Sequence, residues 1–425
     1  MLGGPMNEAS CKVEPAGKQA ILVLLGCTIA VTFGVASVFN GTISAFIKPL
    51  AVDTGWSRAQ VSLGLSVAVL TLLVLNPFVG VIGDRFGARR LVILGAPLFG
   101  LAVGAVGWLP PNYPLFLAGC ALVGATGALT YNTVCYAVVA QWFDRHLGLA
   151  LGITASGTGI GLMIGPPAAQ MFISELGWRA AYPALGALSV AMVLPAALLL
   201  IRDHPGQRAA SARETSGGAR VALRSPTFWR LAFVYFLTGV AINGTVVHLI
   251  PLLTDRGISP ELAAGLSSYL GIGVLVSRVA AGFLLDHLDA GRLGAICFAI
   301  AAIGIGILLV PVPYIALVVA ILIVGAALGA EGDVLAYVTR RVFGAESYGA
   351  TIGMMVSAFL LGVLTGPLIN GASFDRFGSY SPAMTGFALA MLIAASIHAG
   401  ATKNLGIKRQ AAPRKRDSIA PIGSE

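Results

Sequence analysis

"GITASGTGIGLMIGPP", Gly152–Pro167, places GTGIG inside a glycine-rich run. Such a run is either a loop that cradles a phosphate or a helix that its neighbours approach closely. A dinucleotide loop follows a strand and opens a helix in a soluble βαβ unit. This run sits instead within a long apolar stretch, and its spacing returns in a second one. Gly152, Gly161, Gly165 and Pro166 reappear as Gly353, Gly362, Gly366 and Pro367. Gly161 and Gly165 are four residues apart, so they share a helix face and let backbones touch inside a membrane. The proline that follows bends such a helix. These eight residues are therefore read as helix packing, with no nucleotide.

The composition agrees. Of 425 residues, 57% are hydrophobic and only 11% charged, against about 25% charged in soluble domains. The mean hydropathy is +0.86. Cys11, Cys27, Cys120, Cys135 and Cys297 are scattered without CxxC or CxxH spacing, and the five histidines form no HExxH. Neither a disulfide framework nor a metal site is expected, and no cofactor.

A membrane-crossing helix needs roughly 20 apolar residues. Twelve runs qualify, at about 20–47, 59–82, 91–109, 113–140, 147–173, 180–201, 228–253, 261–285, 293–311, 313–338, 347–373 and 381–401. The first is too long for a signal-peptide core and reads as a retained span. With both termini inside, Lys48, Arg58, Arg179, Arg256 and Arg376 lie outside and Arg278 lies within a span. The other 21 of the 27 Lys and Arg are cytoplasmic, as the positive-inside rule expects. That bias accounts for the net charge of +9 without nucleic acid.

The chain is thus read as an all-α integral membrane protein of twelve transmembrane helices in two pseudo-symmetric six-helix bundles. Residues 1–19 form a cytoplasmic tail, 20–201 the first bundle, 202–227 a cytoplasmic linker, 228–402 the second bundle. Residues 403–425 form a basic tail suited to acidic lipid headgroups. The two bundles are repeats at an offset of 201 to 203. "NGT" at Asn40 returns at Asn243; Asp53, Gly55 and Ser57 return as Asp255, Gly257 and Ser259; Arg90 returns as Arg292. A same-direction repeat implies halves related by an axis along the membrane normal, with a substrate site between them near mid-depth.

"GVIGDRFGARR", Gly80–Arg90, and its degenerate copy "GFLLDHLDAGR", Gly282–Arg292, resemble the loop between helices two and three of the major facilitator superfamily. "WFDRHLGLALGI", "GAEGD" and "FGAESYGATIG" look like bacterial members of the monocarboxylate transporter family, relatives of the oxalate:formate antiporter. The superfamily resemblance covers about residues 20–402. It implies alternating access, and a gating loop of Gly80, Asp84, Arg85, Gly87, Arg89, Arg90, Arg145 and Asp286, whose ion pairs hold the outward-open state. For Arg89 and Arg90, retention of basic loops inside is an equal reading. The glycine pattern of the fifth span also resembles that of drug exporters, but Ala168 and Ala169 stand where those have paired glycines.

At 1.5 Å per helical residue, Arg278 lies about 12 Å from Asp286, and Glu331 roughly 13 to 14 Å from Arg340. Asn40, Asn132 and Asn243 come out about 18 to 20 Å from their flanking charges. An arginine at that depth is a site residue by default, and its counterpart in the first half is Asn76. The family resemblance implies that an arginine at this point of helix eight binds the substrate carboxylate. The other reading is an ion pair with Glu331 or Asp333. Glu331 is the candidate proton carrier. Asp333, about 200° around the same helix, cannot share its face and carries a proton or bonds a packed neighbour. Tyr131, Asn132, Asn40 and Asn243 either bind substrate or join helices. His248 either lines the entry path or bonds an adjacent helix.

The sequence departs from the family in places. Gly41 stands where animal monocarboxylate carriers have a lysine, Val274 where they have an acid, and residues 347–373 hold no Lys or Arg. One buried cation suits one carboxylate. The expectation is a monomeric inner-membrane carrier of a small organic anion, a monocarboxylate, coupled to protons. The alternatives are a drug or metabolite exporter and a transporter-like sensor. Nothing suggests an enzyme.

Overall fold

The computed structural model of the chain describes residues 17–143, 147–203, 223–287, 289–343 and 348–402. The regular structure there is helical. The first half contains α1 (Gly17–Thr32), α2 (Val35–Val38), α3 (Ile43–Thr54), α4 (Arg58–Phe86), α5 (Ala88–Trp108), α6 (Tyr113–Ala128), α7 (Asn132–Trp142) and α8 (Leu147–Leu199). The second contains α9 (Pro226–Val247), α10 (Leu249–Asp255), α11 (Pro260–His287), α12 (Ala290–Ile307), α13 (Tyr314–Phe343), α14 (Tyr348–Phe377) and α15 (Ser381–Thr402). Ten segments are long and apolar enough to cross a membrane. One of them, α8, turns at Gly177 (φ 78°) and supplies two spans. The shorter apolar helix α12 completes twelve. The two tails (through residue 16 and from 403), most of the linker, and Arg145 lie outside the described residues.

Twelve crossings return the chain to the face where it began, called here the termini face; the other is the distal face. In the first bundle α1 packs on α8, α4 on α6 and α5 on α8. In the second, α9 packs on α14, α11 on α13 and α12 on α15. Aligned on the repeat, these are the same three pairings. The seams between bundles are α8 with α11 and α4 with α14, which the pseudo-two-fold axis exchanges. The repeated Asp-x-Gly-x-Ser also has a local cause. Gly55 and Gly257 take left-handed φ values of 75° and 84°, open to glycine at little cost. The hydroxyls of Ser57 and Ser259 then accept N–H groups from Gln60 and Leu262 at the next helix N-terminus.

Lipid tails are as apolar as leucine, so helices here are held by close contact rather than by exclusion from water. A Cβ on Gly124 would collide with the Ala68 carbonyl, and one on Gly325 with that of Leu270. This is one α-helical crossing used in both halves. Gly161 lies against Ser37 and the Thr32 carbonyl, and a Cβ on Gly165 would come within 3.4 Å of the Ser37 carbonyl; Gly362 and Gly366 meet the carbonyls of Phe236 and Val240. Pro166 and Pro367 are both within helices.

Three expectations need correction. Gly152 and Gly353 do not pack among the described residues: a Cβ on either meets nothing there within 4 Å. Both lie near the termini face, in the first turns of α8 and α14. The first span is not one helix ending near residue 47. It breaks after Thr32 and again around Asn40, and α3 carries it on to Thr54. The fourth span breaks between Ala128 and Asn132. Gly34, in extended conformation (ψ −175°), starts α2, and Tyr131 (ψ 158°) starts α7. Hydropathy registers apolar side chains and is blind to such backbone turns.

Substituting Gly124→Leu or Gly325→Leu forces side chains into a facing backbone, an overpacking cost of at least about 1–3 kcal/mol. Each should lower the thermal unfolding midpoint of the detergent-purified protein on size-exclusion chromatography. Gly306→Ala, which meets open space, should not.

Candidate functional site

Between the bundles, at mid-depth, lies a cavity of about 220 Å³. The helix breaks place its polar groups. Asn40 comes from the turn between α2 and α3, and Tyr131 and Asn132 come from the start of α7. A continuous helix would bury those backbone groups in its own ladder. Broken spans lining a cavity are where membrane carriers expose half-helix ends to their cargo. Asn243 on α9, Arg278 on α11 and Glu331 on α13 complete the polar set. Asn132 also donates to the Thr158 hydroxyl at 3.4 Å, and Asn243 donates back to the Gly239 carbonyl at 3.3 Å.

Arg278 is the charged centre. Among the described residues it forms no ion pair within 4.0 Å, and its Nε has no hydrogen-bond partner. Glu331 lines the same cavity, is only 7% exposed, and leaves Oε2 unpartnered. An unpaired guanidinium at mid-depth is costly and is retained for a ligand or a switch. It offers a planar fork that fits one carboxylate with two hydrogen bonds. Asp333 does not line the cavity, as the 200° turn from Glu331 requires. The rest of the lining is largely apolar and includes Leu65, Val69 and Leu72 on α4 and Phe359, Leu360 and Val363 on α14.

His248, placed by its sequence among the substrate-binding candidates, is not in this wall. It is buried at the break between α9 and α10, where its Nε2 lies 3.1 Å from the Ser62 hydroxyl and 3.0 Å from the Pro367 carbonyl. Ser62 belongs to the first bundle, so the ring ties the bundles together on the distal side of the cavity.

Beyond His248 the distal face is closed by an ion cluster that nothing local in the sequence announces. Asp255 binds Lys48 Nζ at 2.9 Å and Arg58 Nη1 at 2.5 Å, both from the first bundle. The Arg58 guanidinium also donates to the Tyr380 hydroxyl and stacks 3.5 Å from the centroid of the Phe374 ring. The Asp375 carboxylate accepts the N–H groups of Arg58 and Ala59, each at 3.0 Å, capping α4 from across the seam. Burial pushes the Asp255 carboxyl up, but Arg58 and Lys48 more than reverse this and hold it below its ordinary value. The repeat explains the cluster. Asp53, its counterpart, pairs at 3.0 Å with Arg179 of its own bundle. At the position of Arg179 the second half has Tyr380, so Asp255 takes its cations from the opposite bundle.

The gating-loop residues lie on the termini face. Gly80 meets open space and Gly87 (φ 93°) turns the chain between α4 and α5. The Asp203 carboxylate packs against Gly87 and accepts the Arg89 N–H at 3.1 Å. The Arg89 side chain donates to the Leu198 carbonyl at 2.8 Å, so it caps the end of α8 within the first bundle. Arg85 stacks near Phe86, and Arg90 is exposed. Asp84 and Asp286 are in the last turns of α4 and α11, their side chains outside the described residues. No cluster of metal-ligating side chains occurs among the described residues.

Residues 29–367 match the family described as Major Facilitator Superfamily. An uncharacterized MFS-type transporter, YcxA, of Bacillus subtilis is 26% identical over 71% of this chain and 73% of its own. Monocarboxylate transporter 11 of Homo sapiens is 28% identical over 78% of this chain and 71% of its own. Among solved structures, a bacterial homolog of the human lysosomal transporter Spinster, inward-facing and unoccupied, superposes with a TM-score of 0.71. It covers 92% of this chain and 98% of its own at 17% identity, a likeness of fold.

Asp255→Asn should loosen the distal face, while Asp53→Asn, which breaks a pair within one bundle, should not. A cysteine placed at Val247, in the cavity wall, reports this as faster labelling by an impermeant maleimide from the distal side. A folded state that lowers a carboxyl's proton affinity gains stability above the ordinary pKa and loses it as pH falls through the lowered one. The ordinary value for Asp255 is 3.8, so labelling should not vary between about pH 5 and 8.

Proposed function

Because the chain belongs to the Major Facilitator Superfamily, we propose that it carries a small monocarboxylate across the membrane by alternating access, in company with a proton. The observation that carries this reading is Arg278 in the mid-depth cavity, with no ion pair within 4.0 Å among the described residues and its Nε without a hydrogen-bond partner. One fixed cation neutralises one carboxylate, which favours a monocarboxylate over a dicarboxylate. A cavity of about 220 Å³ is smaller than the roughly 300–1,000 Å³ of sites for drug-sized ligands. That weighs against export of large amphipathic drugs. The likeness to monocarboxylate transporter 11 supports the same cargo class.

In the proposed cycle the bundles rock about the α8–α11 and α4–α14 seams. Among the described residues, the bundle contacts include the Asp255 and His248 contacts toward the distal face and, at the α8–α11 seam, the close approach of Gly159 and Gly271 at mid-depth. This distribution among the described residues supports reading the conformation as the one open to the termini face. With the basic segments inside, that face is cytoplasmic, the membrane is the inner membrane and the state is inward-open. Asp84, Asp286 and the neighbouring arginines act in the opposite state, as the latch on the cytoplasmic side. Glu331 carries the proton. An anion on Arg278 cancels the positive potential that Glu331 feels, so proton and carboxylate favour each other's binding, and by the same factor in both directions. Asp255 is unsuited to that task, since its two cations keep it charged at ordinary pH. The carrier acts as a monomer among lipids and needs neither nucleic acid nor a metal or cofactor.

Uptake of labelled lactate into proteoliposomes tests the assignment. Arg278→Ala should raise the half-saturation concentration about thirtyfold, the effect of about 2 kcal/mol for a lost charge-assisted pair. Arg278→Lys, keeping charge but not the fork, should fall between. Glu331→Gln should still exchange lactate across the membrane yet fail to concentrate it when a pH gradient is imposed. Full accumulation in that variant would remove the proton role.

A further inference from the structure

A second cavity, of about 580 Å³, lies at the distal face on the α8–α11 side. It is larger than the mid-depth cavity and within the roughly 300–1,000 Å³ of sites for drug-sized ligands. The repeat explains why it is there. On the opposite side the α4–α14 seam is filled. Arg58 stacks on Phe374 and donates to Tyr380, and a Cβ on Gly371 would come within 2.8 Å of the Ala59 backbone. The pseudo-two-fold axis exchanges Arg58, Phe374, Tyr380 and Gly371 for Pro260, Ile173, Arg179 and Gln170. Pro260 cannot reach across the seam as Arg58 does, and Ile173 has no ring to receive a cation. Arg179 is held by Asp53. Space remains, and Pro260, Ile173 and Gln170 line it.

Three features of the lining define what fits it. The Gln170 side chain is only 7% exposed, yet its amide has no hydrogen-bond partner among the described residues. Neither amide atom is sealed off by packing, so the side chain's remaining exposure is into the cavity. A carboxamide offers a donor and an acceptor side by side. The charges at the rim are already matched, Lys48 with Asp255 at 2.9 Å and Asp53 with Arg179 at 3.0 Å. A charged ligand would have to displace one partner. Most of the remaining lining is apolar and includes Trp178, Ile250 and Pro251. A lipid tail would suit those residues but would leave the Gln170 amide unsatisfied, which is costly for a buried group.

We propose that this cavity binds an uncharged aromatic amide, its donor–acceptor edge on Gln170 and its ring beside Trp178, and that the ligand holds the distal face closed. The lining joins α3 and α8 of the first bundle to α10 and α11 of the second. A ligand there bridges the bundles, so it favours the conformation in which these helices meet. The effect on transport rests on the alternating-access reading. The binding itself does not, and it makes no use of Arg278.

The probe is 1-naphthamide, with 1-methylnaphthalene, 1-naphthoate and 1-naphthylmethylamine as comparisons, on the purified full-length protein. Equilibrium dialysis should show saturable binding of 1-naphthamide that lactate does not displace. Gln170→Leu should raise its Kd about tenfold, or about 1.4 kcal/mol, as a lost hydrogen bond predicts. Ile173→Trp, which fills the cavity, should abolish binding. In proteoliposomes 1-naphthamide should slow distal labelling of Val247→Cys by the impermeant maleimide. It should also lower the maximal rate of lactate uptake without relief by added lactate. Equally tight binding of 1-methylnaphthalene, or a Kd unmoved in both Gln170→Leu and Ile173→Trp, overturns the site. Displacement by lactate places the probe in the mid-depth cavity and does the same. A charged analogue that binds as tightly and resists lactate overturns the uncharged assignment. Binding that leaves Val247→Cys labelling unchanged overturns the hold on the distal face. Dialysis and labelling need no transported cargo, so a carrier that ignores lactate fails the proposed function and still reads out this site.

Discussion

A guanidinium cannot stand unpaired against lipid, and the architecture is organised around keeping Arg278 away from it. Placing a charge at the bilayer centre costs several kcal/mol at least. Two bundles, each packed internally through bare backbone contacts, provide the enclosure, because small residues at crossings such as Gly124 on Ala68 bring the helices close. The broken first and fourth spans then turn amide and phenol groups toward the space that remains. The cation is thus held in a pocket of modest volume that also takes one acid and the apolar residues of α4 and α14 into its lining.

The two halves share their pairings, their turn chemistry and their seams, and the chemistry lies where they differ. Asn76 corresponds to Arg278, and Thr130 to Glu331. Where the fourth span unwinds at Tyr131, the tenth stays helical and carries the acid. Gly87 relies on Asp203 from a distant segment to cap the next helix, while Asp289 at the matching position caps its own. Asp53 is satisfied within its bundle and Asp255 across the seam. Repetition builds the frame; unequal substitution within it makes one side bind charge and the other accommodate it.

Much of this is legible in the amino-acid sequence alone. Long apolar runs, basic segments of one parity and matched spacings define spans, orientation and repeat, because each depends on side-chain character at fixed intervals. Arg278 and Glu331 are conspicuous for the same reason. The helix breaks at Gly34–Asn40 and Leu129–Tyr131 are not legible, since the few small or polar residues there leave the runs apolar as a whole and the change is in backbone angles. The Asp255 cluster depends on Arg58, 197 residues away in sequence, and on Lys48, about as distant, and nothing local marks them. His248 is legible as a buried imidazole but not as a tie between bundles, which requires knowing that Ser62 arrives from the other half. Gly152 and Gly353 repeat faithfully yet touch nothing, so a repeated spacing reports common ancestry of the halves more reliably than it reports contact.

The distal cluster is shallow. Asp255 is a quarter exposed and Lys48 more than a third, and pairs at such positions contribute on the order of 0.2–1 kcal/mol each. Driving a two-state element from 1:99 to 99:1 takes about 5.5 kcal/mol. The cluster therefore works as a detent: it sets where the carrier rests without fixing it there, and cargo binding or thermal motion can lift it. Because its charges sit at the water's edge, dissolved ions screen them over a Debye length of about 8 Å at physiological salt. The resting orientation of the carrier is then a property shared between the protein and the salinity of the compartment it faces.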